Sequence, residues 1–520
     1  MENEGNSPKR DIQFALVFTL VLLGGFLLRW AFFAASDFPL HDGGLFYVMI
    51  GDLIHNGFQL PLASSYNAAS IPFLYPPLGL YTTGWIETTF SADRLQLFRW
   101  IPLVLSTAAI PAFYLLAKEV LKEEWTSLGA MAIFSVLPMS YTWVIMGGGV
   151  TRAFGEVLCI LALAFVFRFL RTSWWVDGAA AALLSGLTVL SHPEWAWFLF
   201  YSVALISLAA VIRKPRRGVV LSAVLLLGTL LVVSPWLLSV LRVHGGMVSL
   251  PLMDSGFNRG EDIARLITLE WSNEPFFPFL TLFGITGSVV AIRRRQYLLP
   301  IWLLMVFLLQ GRAADQKAVV PLALLGGLGL AAANDYLRSK WPAWEAKKVA
   351  YGFGTLLYGF LFLSAYLYTS QLIKSLPAAF HQGVAWIKDE TPPESTILVI
   401  TGETWERDNY SEWIAALTGR VSLNVVQGYE WLPGFSDRID RYDRANLAFS
   451  LGIGSFLQWM QENDLQADYL VLPRWQNYGP GNYFKKPALH WEDLASVAGA
   501  PVSFENDALM IVDLTKISNP

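Results

Sequence analysis

Residues 12–33 are apolar apart from Gln13, Thr19 and Arg29. A run of that length crosses the hydrocarbon core of a bilayer, which takes about 20 helical residues. Similar runs recur at about 97–117, 126–146, 154–170, 178–191, 195–212, 218–241, 276–292, 297–310, 318–334 and 350–370. With the first they make about eleven spans. Backbone in lipid must satisfy its own hydrogen bonds, so such a chain folds as a polytopic α-helical membrane protein. Composition agrees: 54% of the 520 residues are hydrophobic and 14% aromatic, which excludes an ordinary soluble domain. Lys9-Arg10 ahead of the first run and Ala34-Ala35-Ser36 behind it suggest a secretory leader. The run exceeds the about 7–15 residues of a leader's apolar region, so an uncleaved first span is expected.

The cations segregate. Lys9/Arg10, Lys118/Lys122, Arg168/Arg171, Arg213–Arg217, Arg293–Arg295 and Arg338–Lys348 all fall on one side of the span pattern. Loops rich in Lys and Arg stay cytoplasmic, so the N-terminus is cytoplasmic. The loops 34–96, 147–153, 192–194, 242–275 and 311–317 then face outward, with everything after 370. The tail, 371–520, reads as a small extracytoplasmic α/β domain. A helix at Ala378–Glu390 leads through Thr391-Pro392-Pro393 to a strand at Thr396–Thr401, and a helical run at Ser455–Asn463 is followed by strand-like runs at Tyr469–Leu472 and Leu509–Leu514. The single cysteine, Cys159, lies within a span, so no intramolecular disulfide and no zinc motif can form.

Polar residues crowd the outer loops and are scarce in the spans. Charges such as Arg29 and Asp177 sit near span ends, where they are expected to snorkel to the interface. An ion-coupled transporter needs ionisable groups near the midplane, so chemistry at one membrane face is the better expectation. The first outer loop, 34–96, is long, and long loops are usually functional. It places Asp42 a few residues after the first span, flanked by His41, Gly43 and Gly44. The following run, LFYVMIGDLIHNG, predicts a helix lying flat at the interface. Tyr75-Pro76-Pro77-Leu78 then turns into a second amphipathic segment.

This arrangement resembles the first outer loop of the GT-C glycosyltransferases, which take sugars from polyprenyl-phosphate or polyprenyl-diphosphate carriers. Oligosaccharyltransferase catalytic subunits, protein O-mannosyltransferases and lipid A aminoarabinose transferases share the plan: an acid soon after span one, interfacial helices, and a Y-P-P-L turn before span two. The resemblance covers about 1–370 and implies that Asp42 is the catalytic base, with His41 and Tyr75 beside the substrate. It also implies that Arg312 and Lys317, outer-face cations against the charge bias, contact the carrier phosphate.

The remaining loops leave alternatives open. In Gly147-Gly148-Gly149-Val150-Thr151-Arg152, the arginine either forks onto phosphate or sits at a glycine-rich helix end. Glu156 is the acid nearest the place where the family carries a second one, but the family's acidic pair is not reproduced. No cofactor is fixed, and dependence on a divalent metal ion is left open. His192 and Glu194 could bind a sugar hydroxyl, form one side of a metal site, or cap helices. The charges of the fourth loop, from Arg259 to Glu274, read as solvated. In the tail, the acids and aromatics around Trp405, Glu412, Trp413 and Trp431 suit either carbohydrate or a packed core. The tryptophan-tryptophan-aspartate motif of oligosaccharyltransferases is absent, so sequon N-glycosylation is not expected.

The expected function is therefore sugar transfer from a polyprenyl-phosphate donor to a lipid, glycan or protein hydroxyl outside the cytoplasm. The rival is a lipid-linked glycan transporter or a sugar-binding membrane protein without chemistry. Membrane lipid is an expected partner, and nucleic acid is not. The topology has a direct check: a reporter fused at Pro520 is expected to be active only in an extracytoplasmic compartment, and cytoplasmic activity would refute the scheme.

Overall fold

A computed structural model describes residues 8–245, 259–341, 347–476, 486–487 and 501–516. Its helices are α1 (Pro8–Ala34), α2 (Gly44–His55), α3 (Leu78–Phe90), α4 (Arg94–Leu121), α5 (Glu124–Val136), α6 (Gly149–Thr172) and α7 (Trp175–Val189). Next come α8 (Pro193–Arg213), α9 (Pro215–His244), α10 (Arg259–Thr268), α11 (Phe279–Arg293), α12 (Leu298–Leu309), α13 (Ala314–Lys340) and α14 (Lys347–Leu372). Beyond them lie α15 (Phe380–Glu390), α16 (Asn409–Thr418), α17 (Phe435–Ser450) and α18 (Ile453–Glu462). Seven helices are long and apolar enough to cross a bilayer, and α7, α11 and α12 are shorter apolar helices among them. Every expected span overlaps a helix of this multi-pass membrane protein.

Glycines set how closely the spans approach. A Cβ on Gly287 of α11 would lie 1.8 Å from the Leu325 carbonyl oxygen of α13. One on Gly329 of α13 would lie 2.0 Å from the Phe283 oxygen of α11. On another side of α13, a Cβ on Gly327 would come within 2.9 Å of the Thr126 oxygen of α5. Bare backbone thus wedges α13 between α5 and α11, the packing that small residues allow in lipid. The N-terminus of α13, which carries Asp315 and Lys317, is fixed by this wedge. Pro102 and Pro111 inside α4 and Pro321 inside α13 are accommodated within continuous helices, as happens where neighbouring spans surround the backbone.

The C-terminal residues build a five-stranded sheet. Its order is Val421–Ser422, Thr396–Val399, Tyr469–Pro473, Leu509–Asp513, Val502–Glu505. The first three strands run parallel and the last two pair antiparallel. The strands at Tyr469–Pro473 and Leu509–Asp513 are buried throughout, as central strands covered on both faces should be. Helix α18 precedes the Tyr469 strand.

Four expectations are corrected. The span expected at 126–146 ends as a helix at Val136: Pro138 lacks the amide a helix interior requires, and a 3₁₀ turn at Pro138–Ser140 follows. Arg29 does not snorkel. It is fully buried and donates to the carbonyls of Gly25 (2.8 Å) and Ser135 (3.2 Å) and to Ser140 Oγ (3.4 Å). Asp177 is likewise buried, paired with Arg168 Nε at 3.1 Å. Helix α2 does form where an interfacial helix was expected, but Leu45, Met49, Ile50 and Leu53 are covered by protein, in one cluster with Trp413 and Ile414 of α16. In the fourth loop, residues 246–258 lie outside those described. Among the described part, the charges are not simply solvated: Arg265 pairs with Glu261 and with Asp315 of α13, both at 2.9 Å, and Asp262 is buried.

The wedge yields a prediction. Gly287→Leu should lower stability by about 1–3 kcal/mol, the usual cost of overpacking, because backbone cannot move aside as a side chain can. Thermal unfolding of the purified variant in detergent checks it, and a wild-type midpoint would refute it.

Candidate active site

The loop after α1 meets the loop before α6 over glycine. Gly147 N donates to Leu40 O (2.7 Å), and a Cβ on Gly147 would sit 2.0 Å from the Asp42 carbonyl oxygen. Gly148 N donates to Asp42 Oδ1 (3.1 Å), and a Cβ there would come 2.8 Å from Asp42 Oδ2. The run of three glycines is thus a seat for residue 42. His41 holds a φ of 57° and Gly43 one of 132°. The non-glycine left-handed conformation is costly, and hydrogen bonds pin it on both sides. His41 N donates to Lys374 O (2.9 Å), and His41 O accepts from Trp413 Nε1 (2.8 Å).

Asp42 Oδ2 takes a short charged hydrogen bond from Arg152 Nη2. Arg152 is held in turn: Nη1 donates to Trp143 O (2.9 Å), and the guanidinium lies 5.9 Å from the Trp143 ring centre. Both side chains stay about one-fifth exposed, at 20% for Asp42 and 19% for Arg152, so a ligand can reach them. Burial works to raise the Asp42 pKa, but Arg152, His41 and the Gly148 amide outweigh it and hold the carboxyl below its usual 3.8.

A second charged group stands beside the first. Glu194, in the first turn of α8, meets Lys317 Nζ at 3.3 Å and Arg312 Nε at 3.8 Å. Lys317 is almost fully buried and lies 4.5 Å from the Trp195 ring centre, whereas Arg312 is exposed. Tyr75 links the two groups. Its hydroxyl meets Thr151 Oγ1 at 3.2 Å, and its ring stands edge-on to His192 (6.3 Å) and to Trp431 of the sheet unit (5.7 Å). Helices α6, α8 and α13 all begin here. Their N-termini add partial positive charge to Arg152, Arg312 and Lys317, which makes the cluster a site for an anion.

Most of the residues singled out in the sequence therefore share this face, but not all reach its surface. Glu156 lies one turn along α6 from Arg152, fully buried, with both carboxylate oxygens lacking a hydrogen-bond partner. His41 and His192 are buried too, and each Nδ1 is unpartnered. Burial holds His41 down to about 4 and His192 down to about 3, so both are neutral at pH 7. Burial pushes the Tyr75 hydroxyl well above its usual value. Among the described residues, no three His, Cys, Asp or Glu side chains are grouped to hold a metal ion. The partners of Asp42, a guanidinium and an amide N–H, suit an anion and repel a divalent cation, so no step below runs through a metal.

Sequence reasoning missed Gly148 as a donor and Trp143 as a support. It also gave the sheet unit no role here, although Trp413 grips His41 and Glu412 accepts from Gly43 N and Leu45 N. The glycine run was the signal for the first; nothing local marks the others.

The sequence matches no family model and no curated protein. Solved structures do match. The archaeal oligosaccharyltransferase AglB from Archaeoglobus fulgidus, in complex with an inhibitory peptide and a dolichol-phosphate, superposes with a TM-score of 0.57 at 16% identity, over 90% of this chain and 70% of that one. ArnT from Cupriavidus metallidurans bound to undecaprenyl phosphate gives 0.53 at 13% identity, over 97% of this chain and 99% of that one. The chain shares the fold of these two structures. Within that fold, residues from the first, second, third and fifth loops of this chain converge on one anion-suited face.

Lys317 gives a test of that electrostatic arrangement. Glu194→Gln would leave a buried ammonium without its counter-charge, and breaking a buried pair in this way costs about 3–5 kcal/mol. The variant is expected to unfold at lower temperature than wild type, and restoring an acid as Glu194→Asp is expected to recover part of the loss.

Proposed function

We propose that this GT-C protein transfers a sugar from a polyprenyl-phosphate donor to a hydroxyl of a lipid, glycan or protein on the extracytoplasmic side, where residues 371–520 form an outer domain. The observation that carries this reading is the meeting of Asp42 with Arg152 at the converging starts of three helices. The likeness to structures in complex with dolichol-phosphate and undecaprenyl phosphate supports the choice of donor.

In the resting protein Arg152 neutralises Asp42, and a carboxylate held at low pKa is a weak base. A carrier phosphate offers the guanidinium two oxygens in fork geometry. When Arg152 turns to the phosphate, with Arg312 at the open edge of the site, Asp42 regains its basicity. The acceptor oxygen attacks the anomeric carbon while its proton passes to an Asp42 oxygen. The bond from the anomeric carbon to the phosphate oxygen breaks, and the polyprenyl phosphate leaves with the electron pair against Arg152 and Arg312. Lys317 acts through Glu194, holding the wall of the site. Binding the donor thus both places the leaving group and releases the base.

General-base assistance is worth about 10²–10⁴-fold, so Asp42→Asn should abolish detectable transfer. Arg152→Gln should weaken donor use by about 1–3 kcal/mol, the scale of a charged hydrogen bond. Mass spectrometry of glycolipids and glycoproteins from cells carrying wild type, each variant or no protein reads both outcomes. Wild-type product levels in Asp42→Asn cells would overturn the assignment.

A further inference from the structure

The N-terminus of α2 is capped from far away. The first amides of a helix have no partner within it, and a Ser, Thr, Asp or Asn just before the helix usually supplies one. Here that position is Gly43, which has no side chain to offer. The acceptor is instead Glu412 of α16, whose Oε1 takes Gly43 N (3.2 Å) and Leu45 N (3.1 Å) across a separation of 369 and 367 residues. Room for it is made at Gly44, where a Cβ would come 2.9 Å from both Glu412 Cγ and the Glu412 carbonyl oxygen. The neighbouring Trp413 is fully buried among Phe38, Tyr47 and Phe98 and donates to His41 O. Two consecutive residues of the sheet unit thus hold the backbone on both sides of Asp42.

We propose that Glu412 is a positioning residue for transfer: it holds Gly43–Leu45 and so fixes where the Asp42 carboxylate meets Arg152. This rests on the reading of Asp42 as the base. A cap whose only purpose was helix stability would be met by one local side chain; this one makes the geometry of residue 42 depend on docking of the sheet unit. Glu412 Oε2 is buried without a partner, as suits a carboxyl that keeps its proton. Burial, then the charges of Asp42 and Glu430, push Glu412 up to about 8, and Tyr66 also faces it. The Gly43 and Leu45 amides themselves favour the carboxylate, but burial outweighs them, so the docked position of Glu412 is most stable below the ordinary glutamate value of 4.5, weakens as pH rises towards about 8, and levels off above it.

Hydrogen–deuterium exchange on the full-length protein in lipid nanodiscs tests the tie, and product mass spectrometry in cells tests its use. In Glu412→Ala, exchange at Gly43 and Leu45 should quicken about tenfold while the Thr396–Val399 and Tyr469–Pro473 strands stay protected, and transfer should fall by about 10–100-fold, as displacements near 1 Å do. Glu412→Gln keeps the accepting oxygen and should recover most of both losses. In wild type, protection of Gly43 should decline between pH 5 and 8 after correction for intrinsic exchange, and in Glu412→Gln it should not. Unchanged exchange in Glu412→Ala, faster exchange with wild-type transfer, or Gln as damaging as Ala overturns the proposal. Should Glu412→Ala also release the strands, the pH slopes decide: equal slopes in wild type and Glu412→Gln overturn it. Wild-type transfer by Asp42→Asn would instead remove the base reading while leaving the exchange results standing.

Discussion

The contact on which the structure most depends is the seating of Asp42 against Gly147 and Gly148. No side chain larger than hydrogen fits against the Asp42 backbone at Gly147, and one at Gly148 would displace the Asp42 and Arg152 tips, so two loops separated by two spans close to backbone distance. That closeness lets one amide and one guanidinium meet the carboxylate together. A charge so held, at the start of α6, is stabilised without being sealed from solvent. The wedge of glycines around α13 does the same at larger scale, bringing Lys317 and Asp315 to a fixed height beside α8 and α10. In both places the shortest side chain decides where the charged ones can stand.

The two charged groups are built differently, and the difference suits different work. Asp42 and Arg152 are each partly open, and either could exchange its partner for a ligand. Lys317 is shut in behind Trp195 and Glu194, where exchange would strand a charge in a poorly solvated place. The two basic residues that the sequence set together in the fifth loop therefore part company. Arg312 faces the opening and Lys317 the frame.

Much of the architecture was legible because hydropathy is a strong signal in lipid: each apolar run formed a helix over at least part of its length, and the strands at Thr396, Tyr469 and Leu509 lie where short apolar runs placed them. Failures came where a one-dimensional pattern holds no depth. Arg29 looks like a span-end residue in sequence, yet Ser135 and Ser140 of another segment enclose it. The 126–146 run carries no charge, so Pro138 was the main hint that it would break. At the site, Arg152, Glu194, Arg312 and Lys317 gather near Asp42 because each opens a helix at the same face. Glu412 was not legible as a neighbour of Asp42. An acid beside a tryptophan on a short helix reads equally as core or as sugar binding, and nothing local says what lies 369 residues away.

That separation also orders events during synthesis. Residues 41–45 leave the ribosome long before Glu412 and Trp413 exist, and contacts so distant in sequence form late because the loop between them must first be closed. Until the C-terminal sheet has folded, His41 lacks the partner that holds its strained backbone, and the start of α2 lacks its cap. A nascent chain with all its spans inserted would still carry an unfinished first loop. A segment made only after all the spans is thus the one that completes the first loop, and a partly synthesised chain lacks the ties that set the Asp42 carboxylate against Arg152.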